Sequence, residues 1–202
     1  MNDVLPFGLR RFVVFLHAVP TDGSFSLNDL PGSGGRVDVA ARCVGAALLV
    51  SNGIRKDASV TFIFEGRAER ALSVSVFGQT VRYLNPDERT TAALIKNALQ
   101  KARKTESGFS SPGIYFRRDR TRSILEGVSE NTKRYYLKED GQRIGAIRQP
   151  ATFFLGDNKD LDESEEMMMD DLGSERVSIS GRSIHSDQCI VISNWIMDNG
   201  TC

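Results

Sequence analysis

The run Phe12–Val19 (FVVFLHAV) constrains this chain more than any other stretch. Apolar character over that length has to be hidden from water, yet the run is far shorter than the roughly 20 residues a membrane helix needs. It follows Arg10 and Arg11 as the core of a signal peptide follows its charged region, but His17 interrupts it and no small-residue cleavage site follows cleanly. A buried strand over Arg11–Val19 is the reading that remains. Val60–Phe64, Leu72–Phe77, Ala151–Leu155 and the shorter Ile114–Phe116, Tyr135–Leu137 and Val177–Ser180 also read as strands. Helical periodicities lie between them, and strands alternating with helices predict an α/β sheet protein.

The turn-rich stretch Pro20–Gly35 leads into Val37–Asn52, where Val37, Ala40, Val44, Ala47 and Leu48 recur at helical spacing and Gly53 is placed to stop the helix. Thr80–Leu84 is expected to return as a hairpin partner of Leu72–Phe77 across Gly78-Gln79. Asn85-Pro86-Asp87-Glu88 predicts a helix start, with Asn85 as the cap and the helix running to about Lys104. Ser111-Pro112-Gly113 and Lys138–Gly141 (KEDG) read as turns. Asp157–Asp171 predicts a helix with a solvated acidic face and an apolar stripe at Met167–Met169. It is not an EF-hand, because Lys159 and Leu161 fall where the first oxygen ligands should be and the central glycine is missing. Ser186–Met197 predicts a closing helix.

At 202 residues the chain is expected to form one domain. Cys43, Cys189 and Cys202 are odd in number and far apart, which argues for a reducing cytoplasm and against a disulfide scaffold or a zinc site. Cys43 falls in the helical pattern as a small core residue, and Cys202 is a terminal thiol. Net charge is zero, but residues 1–150 carry 23 Lys and Arg against 15 Asp and Glu, while residues 151–202 carry 3 against 11. A basic face could meet a polyanion, or the two parts could neutralise each other within or between subunits.

Leu30–Asp38 (LPGSGGRVD) could bring backbone close to a phosphate, but it fits neither the Walker motif nor the dinucleotide fingerprint. There is no Gly-x-Ser-x-Gly elbow, and with His17 and His185 the only histidines no nucleophilic triad is indicated. Group transfer from a bound donor fits such a chain better. The two strand-turn units Ala151–Asp157 (ATFFLGD) and Arg176–Ile192 (RVSISGRSIHSDQCIVI) look like the halves of a small-molecule pocket.

Six segments in order resemble the archaeal tRNA pseudouridine N1-methyltransferases and their bacterial relatives, within the SPOUT group of knotted methyltransferases. They are Phe25–Arg42, Leu84–Ile95, Ser111–Tyr115, Tyr136–Gly141, Phe154–Asp157 and Val177–Ile190. The resemblance implies a SPOUT-type α/β knot: a mostly parallel sheet with helices on both faces and a C-terminal deep trefoil knot. The cofactor part would cover about 130–202. It implies a homodimer that binds S-adenosyl-L-methionine at its interface, with no membrane or metal requirement. By matching position, Leu137, Gly156, the turn of Ile179, Ser180, Gly181, Arg182, Ser183 and Ile184, and Cys189 would frame the cofactor.

The implied reaction is methyl transfer to N1 of pseudouridine, in RNA and specifically tRNA. Asp38 is the candidate base and Arg36 the candidate holder of a phosphate or base edge, although both could simply bridge the loop to the helix start. Arg117, Arg118, Arg120 and Arg122 would favour RNA over a small acceptor. Asn158-Lys159-Asp160 and Ser180-Gly181-Arg182 depart from the archaeal pattern and bear on acceptor identity. A cofactor-binding RNA-interaction protein without transfer activity and a methyltransferase with another acceptor are the competing readings.

Overall fold

The computed structural model describes residues 5–66 and 69–200, so Cys202 lies outside it. In chain order the elements are β1 (Arg10–Leu16), α1 (Val37–Leu48), β2 (Leu49–Val50), β3 (Gly53–Ile54), β4 (Ala58–Phe64), β5 (Arg70–Phe77), α2 (Glu88–Lys101) and β6 (Ser107–Ser111). They continue as β7 (Ile114–Arg120), α3 (Thr121–Val128), β8 (Lys133–Arg143), β9 (Ala151–Gly156), α4 (Glu163–Asp171), β10 (Glu175–Ser178) and α5 (Ser186–Asn199). Eight strands form one sheet in the order β10-β8-β9-β1-β4-β5-β7-β6. Pairings from β10 through β4 are parallel, and β5, β7 and β6 are added antiparallel.

The apolar run Phe12–Val19 supplies β1, which ends at Leu16 rather than Val19 and lies between β9 and β4 with its side chains split between two cores. Phe12, Val14 and Leu16 join the core under α1, α2 and α5, while Val13 and Phe15 join the one under α3 and α4. Helices therefore cover both faces, as β1 requires, being hydrophobic on both sides. Phe12 opposes Phe153 on β9, which opposes Tyr135 on β8, and their rings stack at 5.5 and 5.3 Å. Such cross-strand aromatic pairs fix register as well as adding buried area.

Several local expectations are corrected. Helix α1 stops at Leu48, before Gly53, because Leu49-Val50 turns back to pair with Gly53-Ile54. Thr80–Leu84 is no strand: the free edge of β5 is taken by β7, and the amide of Val81 bonds back to Phe77. Helix α2 ends at Lys101, and its cap is Asp87, whose carboxylate accepts the Thr90 amide at 2.7 Å, two residues beyond Asn85. KEDG is an excursion within β8: Tyr136 pairs with Arg176 and Gln142 with Val177, so Leu137–Gly141 bulges out opposite a single peptide of β10. The acidic helix α4 is not merely solvated, since Glu165 is buried beside Met169.

The charge asymmetry is largely closed within the chain. Arg10 and Arg55 reach Asp198 at 2.6 and 2.9 Å, Arg42 lies 3.7 Å from Asp187, and Lys133 and Lys138 pair with Glu175 and Glu166. The arginine cluster is divided between β7 and α3 and partly neutralised: Arg117 pairs with Asp119, and Arg122 with Glu126 at 2.8 Å. It is therefore not the free polycation its spacing suggested.

The cap assignment gives a direct test. Asp87→Ala should lower the melting temperature by roughly 2–4 °C because an orphan helix amide loses its acceptor, whereas Asn85→Ala should leave it unchanged in the same thermal melts.

Candidate active site

Parallel register decides where the site forms. Phe15 of β1 faces Gly156 of β9, so the chain leaves both strands at the same edge, with His17 and Asp157 side by side. The His17 amide and its Nδ1 donate to the Asp157 carboxylate at 2.9 and 2.8 Å, and Nε2 lies 3.1 Å from the buried Glu165 carboxylate of α4. The Asp157 carboxylate also accepts the Lys159 amide at 3.0 Å, closing a tight turn. At Gly156 a Cβ would stand 1.9 Å from the Lys159 carbonyl, so no larger residue fits there without opening that turn. The Ser186 hydroxyl, at the start of α5, lies 2.7 Å from both the Gly156 and Asp157 carbonyls.

These contacts bound a cavity of about 470 Å³ between the β9 exit, the β8 excursion and the turn from β10 into α5. That size suits a nucleoside-sized ligand. Leu137, Gly156, Ile179, Ser180, Arg182, Ser183, Ile184 and Cys189 line it. Gly181 belongs to the same turn but is not among the lining residues. Glu139, Asp157 and Ser186 also line the cavity and were not named as cofactor residues; Asn158, Lys159 and Asp160, where the sequence departs from the archaeal pattern, are part of its wall. Asp157 had a signal, since it closes the FLGD motif. His17 had none beyond being a histidine inside an apolar strand.

Electrostatics follow from burial and pairing. Hydrogen bonds from His17 to Asp157 and then Glu165 outweigh burial and raise the imidazole pKa to about 9, so both ring nitrogens carry protons at neutral pH. Burial opposes ionisation of Asp157, but the side-chain and backbone bonds of His17 prevail and hold it below the usual range. A hydrogen bond with Ser183 keeps Glu139 low as well, linking the β8 excursion to the β10–α5 turn. Burial, with the charge of Glu139 next, pushes the Cys189 thiol up to about 11, so it is a neutral packing group. Cys43 is fully buried in the core.

Arg36 and Asp38 are joined but lie outside the lining of this cavity. Arg36 takes a left-handed backbone (φ 72°) at the entry to α1, and its Nε and Nη2 donate to the two Asp38 oxygens at 3.1 Å each. Arg42 adds a third bond to Asp38 at 2.8 Å. Burial raises the Asp38 pKa, but the two guanidiniums overcome it and hold the carboxyl low. The arrangement orients two arginines, the bridging role the sequence left open, and makes Asp38 a weak proton acceptor.

Among the described residues no cluster of His, Cys, Asp or Glu could hold a metal, and no helix is long and apolar enough to cross a membrane.

Residues 9–201 match the model of a protein family described as "Putative SAM-dependent RNA methyltransferase". Over 193 residues the chain is 38% identical to the tRNA (pseudouridine(54)-N(1))-methyltransferase of Methanocella arvoryzae, covering 94% of this chain and 99% of that protein. The protein of the same description from Methanosarcina acetivorans is 39% identical over 194 residues, with 94% and 91% covered. In fold, the chain is similar to the crystal structure of Archaeoglobus fulgidus Nep1 bound to S-adenosylhomocysteine, with a TM-score of 0.62 and 14% identity over 95% of this chain and 97% of that one.

The His17 bridge makes stability depend on pH in a stated direction. An imidazole whose pKa is raised on folding stabilises most below its unfolded value, near 6.5, and that contribution disappears as pH rises through about 9. Asp157, depressed, keeps its contribution until pH falls through its lowered value. With the His17 side chain only 8% exposed, the unfolding free energy of the wild type relative to His17→Asn should fall by about 3 kcal/mol between pH 6.5 and 10 in urea titrations.

Proposed function

Because this chain belongs to the family of SAM-dependent RNA methyltransferases, we propose that it methylates N1 of pseudouridine in tRNA, at position 54 as its archaeal relatives are named for. The single observation that carries this reading to the site is the cavity at the β9 exit. It gathers eight of the nine residues expected to frame the cofactor around a turn that only glycine permits at position 156. When bound, S-adenosylmethionine would supply a methyl group on a sulfonium sulfur: the bond from N1 to methyl forms as the sulfur–methyl bond breaks, the sulfur leaves as a neutral thioether, and the N1 proton passes to bulk water.

The residues present fit that cofactor. Leu137 would cover the adenine, and backbone groups of the Ile179–Ile184 turn would hydrogen-bond it; all but Gly181 of these residues line the cavity. Gly156 lets the backbone come close, and Cys189 packs as a neutral wall. Ionised Glu139 and Asp157 and the neighbouring Asp160 suit a ligand with a cationic centre. The chain's contribution to rate is alignment of the two reactants and exclusion of water. Arg36, with its side chain 39% exposed and near enough to Asp157 to feel its charge, is the acceptor-side group. Asp38 holds it and is itself held by Arg42.

A homodimer built on α5 belongs to the same reading. Val191 and Trp195 stand one turn apart on its outer face, 53% and 65% exposed, while Gln188 and Cys189 of the same helix line the cavity. A partner seated there would border the cofactor. The knotted passage is also part of this reading, supported by the order β10-β8-β9, in which the chain leaves β9, forms α4 and returns on the far side of β8. So are a single domain over 1–202, supported by one sheet whose strands run from Arg10 to Ser178, and a cytoplasmic location.

Labelled S-adenosylmethionine with tRNA tests the activity: incorporation should require pseudouridine at position 54. Cofactor binding without transfer to any RNA would instead support an RNA-interaction protein that has lost the reaction. Asp38→Asn should slow transfer about tenfold or more by releasing Arg36, with cofactor affinity and the shape of the pH–rate profile unchanged. Loss of a titration step in that profile would make Asp38 the base. Trp195→Lys should shift sedimentation from dimer to monomer.

A further inference from the structure

We infer that His17 is a positioning residue for the cofactor: held between Asp157 and Glu165, it sets the Gly156–Asp160 turn that forms one wall of the cavity. The inference rests on the reading of that cavity as the S-adenosylmethionine site. His17 is not among the residues that line the cavity. Its influence passes through Asp157, which is.

Three independent bonds converge on the Asp157 carboxylate: two from His17, through backbone and ring, and one from the Lys159 amide. Its carbonyl and that of Gly156 are joined to Ser186, so the same residue ties the β9 turn to the start of α5. On the other side of the ring, Glu165 is 1% exposed and is also bonded within its own helix. One of its oxygens accepts the Asp162 amide at 3.0 Å while its own amide donates to Asp162 at 2.9 Å. Helix α4 is thus clamped to the site through its own capping box. A doubly protonated imidazole satisfies two buried carboxylates at once. If it loses one proton, a buried carboxylate loses its donor and its compensating charge, and the turn loses one anchor.

The charged groups facing this centre are Asp157 from the β9–α4 turn, Glu165 from α4 and, through its effect on Asp157, Arg36 from the entry to α1. Cys189, with its thiol pushed up to about 11, stays neutral through the same range. The high imidazole pKa follows from the geometry and sets where the effect should be seen.

The test is calorimetric binding of S-adenosylhomocysteine to the full chain between pH 7 and 10, for the wild type, His17→Asn and His17→Gln. The Asn amide stands where Nδ1 stands and can still reach Asp157, whereas the Gln amide stands where Nε2 stands and reaches only Glu165. At pH 7.5 His17→Asn should bind within about threefold of the wild type and His17→Gln about tenfold or more weaker. Wild-type affinity should fall as pH passes about 9, with no such step in His17→Asn, whose ligand carries the same titrating amine.

Equal losses in the two variants, or the same pH profile for wild type and His17→Asn, would overturn the inference while leaving the cavity as the cofactor site. A wild type that binds no S-adenosylhomocysteine at any pH would overturn the reading of the cavity and this inference with it. If His17→Gln proves unfolded in thermal melts, the pH comparison of wild type with His17→Asn decides alone.

Discussion

The site depends on one buried carboxylate. Asp157 receives the backbone and ring of His17 and the amide of Lys159, and its carbonyl lies within hydrogen-bond distance of the Ser186 hydroxyl. Segments from β1, the β9 turn and α5 meet there, although 140 residues separate His17 from Asp157. A buried negative charge without partners would be costly, so each donor is a condition for the next. Removing it would leave the β9 turn and His17 without a common anchor.

That centre can form only because the sheet sets its geometry first. Parallel pairing of β1 with β9 brings their exits level, and the aromatic ladder Phe12, Phe153 and Tyr135 holds three strands in one register. A slip of one residue would turn the Phe side chains to the opposite core and move Asp157 away from His17. Charge plays a different part. The acidic C-terminal portion closes against arginines and lysines of the first 150 residues, from Arg10 and Asp198 to Lys138 and Glu166, and so secures α5 and α4 over the sheet. A segregation that looks in sequence like a binding surface is in the fold mostly an internal fastening.

Much of the architecture was legible in the chain, for identifiable reasons. Long strands whose side chains are buried on both faces, such as β1 and β4, cannot be anything else, and α1 and α5 repeat their apolar residues at helical spacing. Short-range punctuation was less legible. Asn85 and Asp87 are both good caps, and the choice went to the one whose carboxylate reaches Thr90. KEDG has turn composition, yet β10 pairs on either side of it and keeps it inside β8. Strand β6 was missed because SGFSS carries a weak local signal and forms by pairing with β7, and helix α3 because TRSILEGV is only two turns long and follows directly on the arginines of β7.

Sequence by itself determined the α/β class, the apolar strands and helices on which it is built, and the family motifs whose residues line one cavity. Those properties are local, written in periodicity, glycine placement and short ordered segments. Only the tertiary structure decided that His17 and Glu165 belong to the site, that Asp38 is locked between two guanidiniums, and that the arginine cluster is partly neutralised. Each of these depends on what a side chain meets across the sheet, and pairing between residues far apart in the chain sets both its protonation state and its freedom to act.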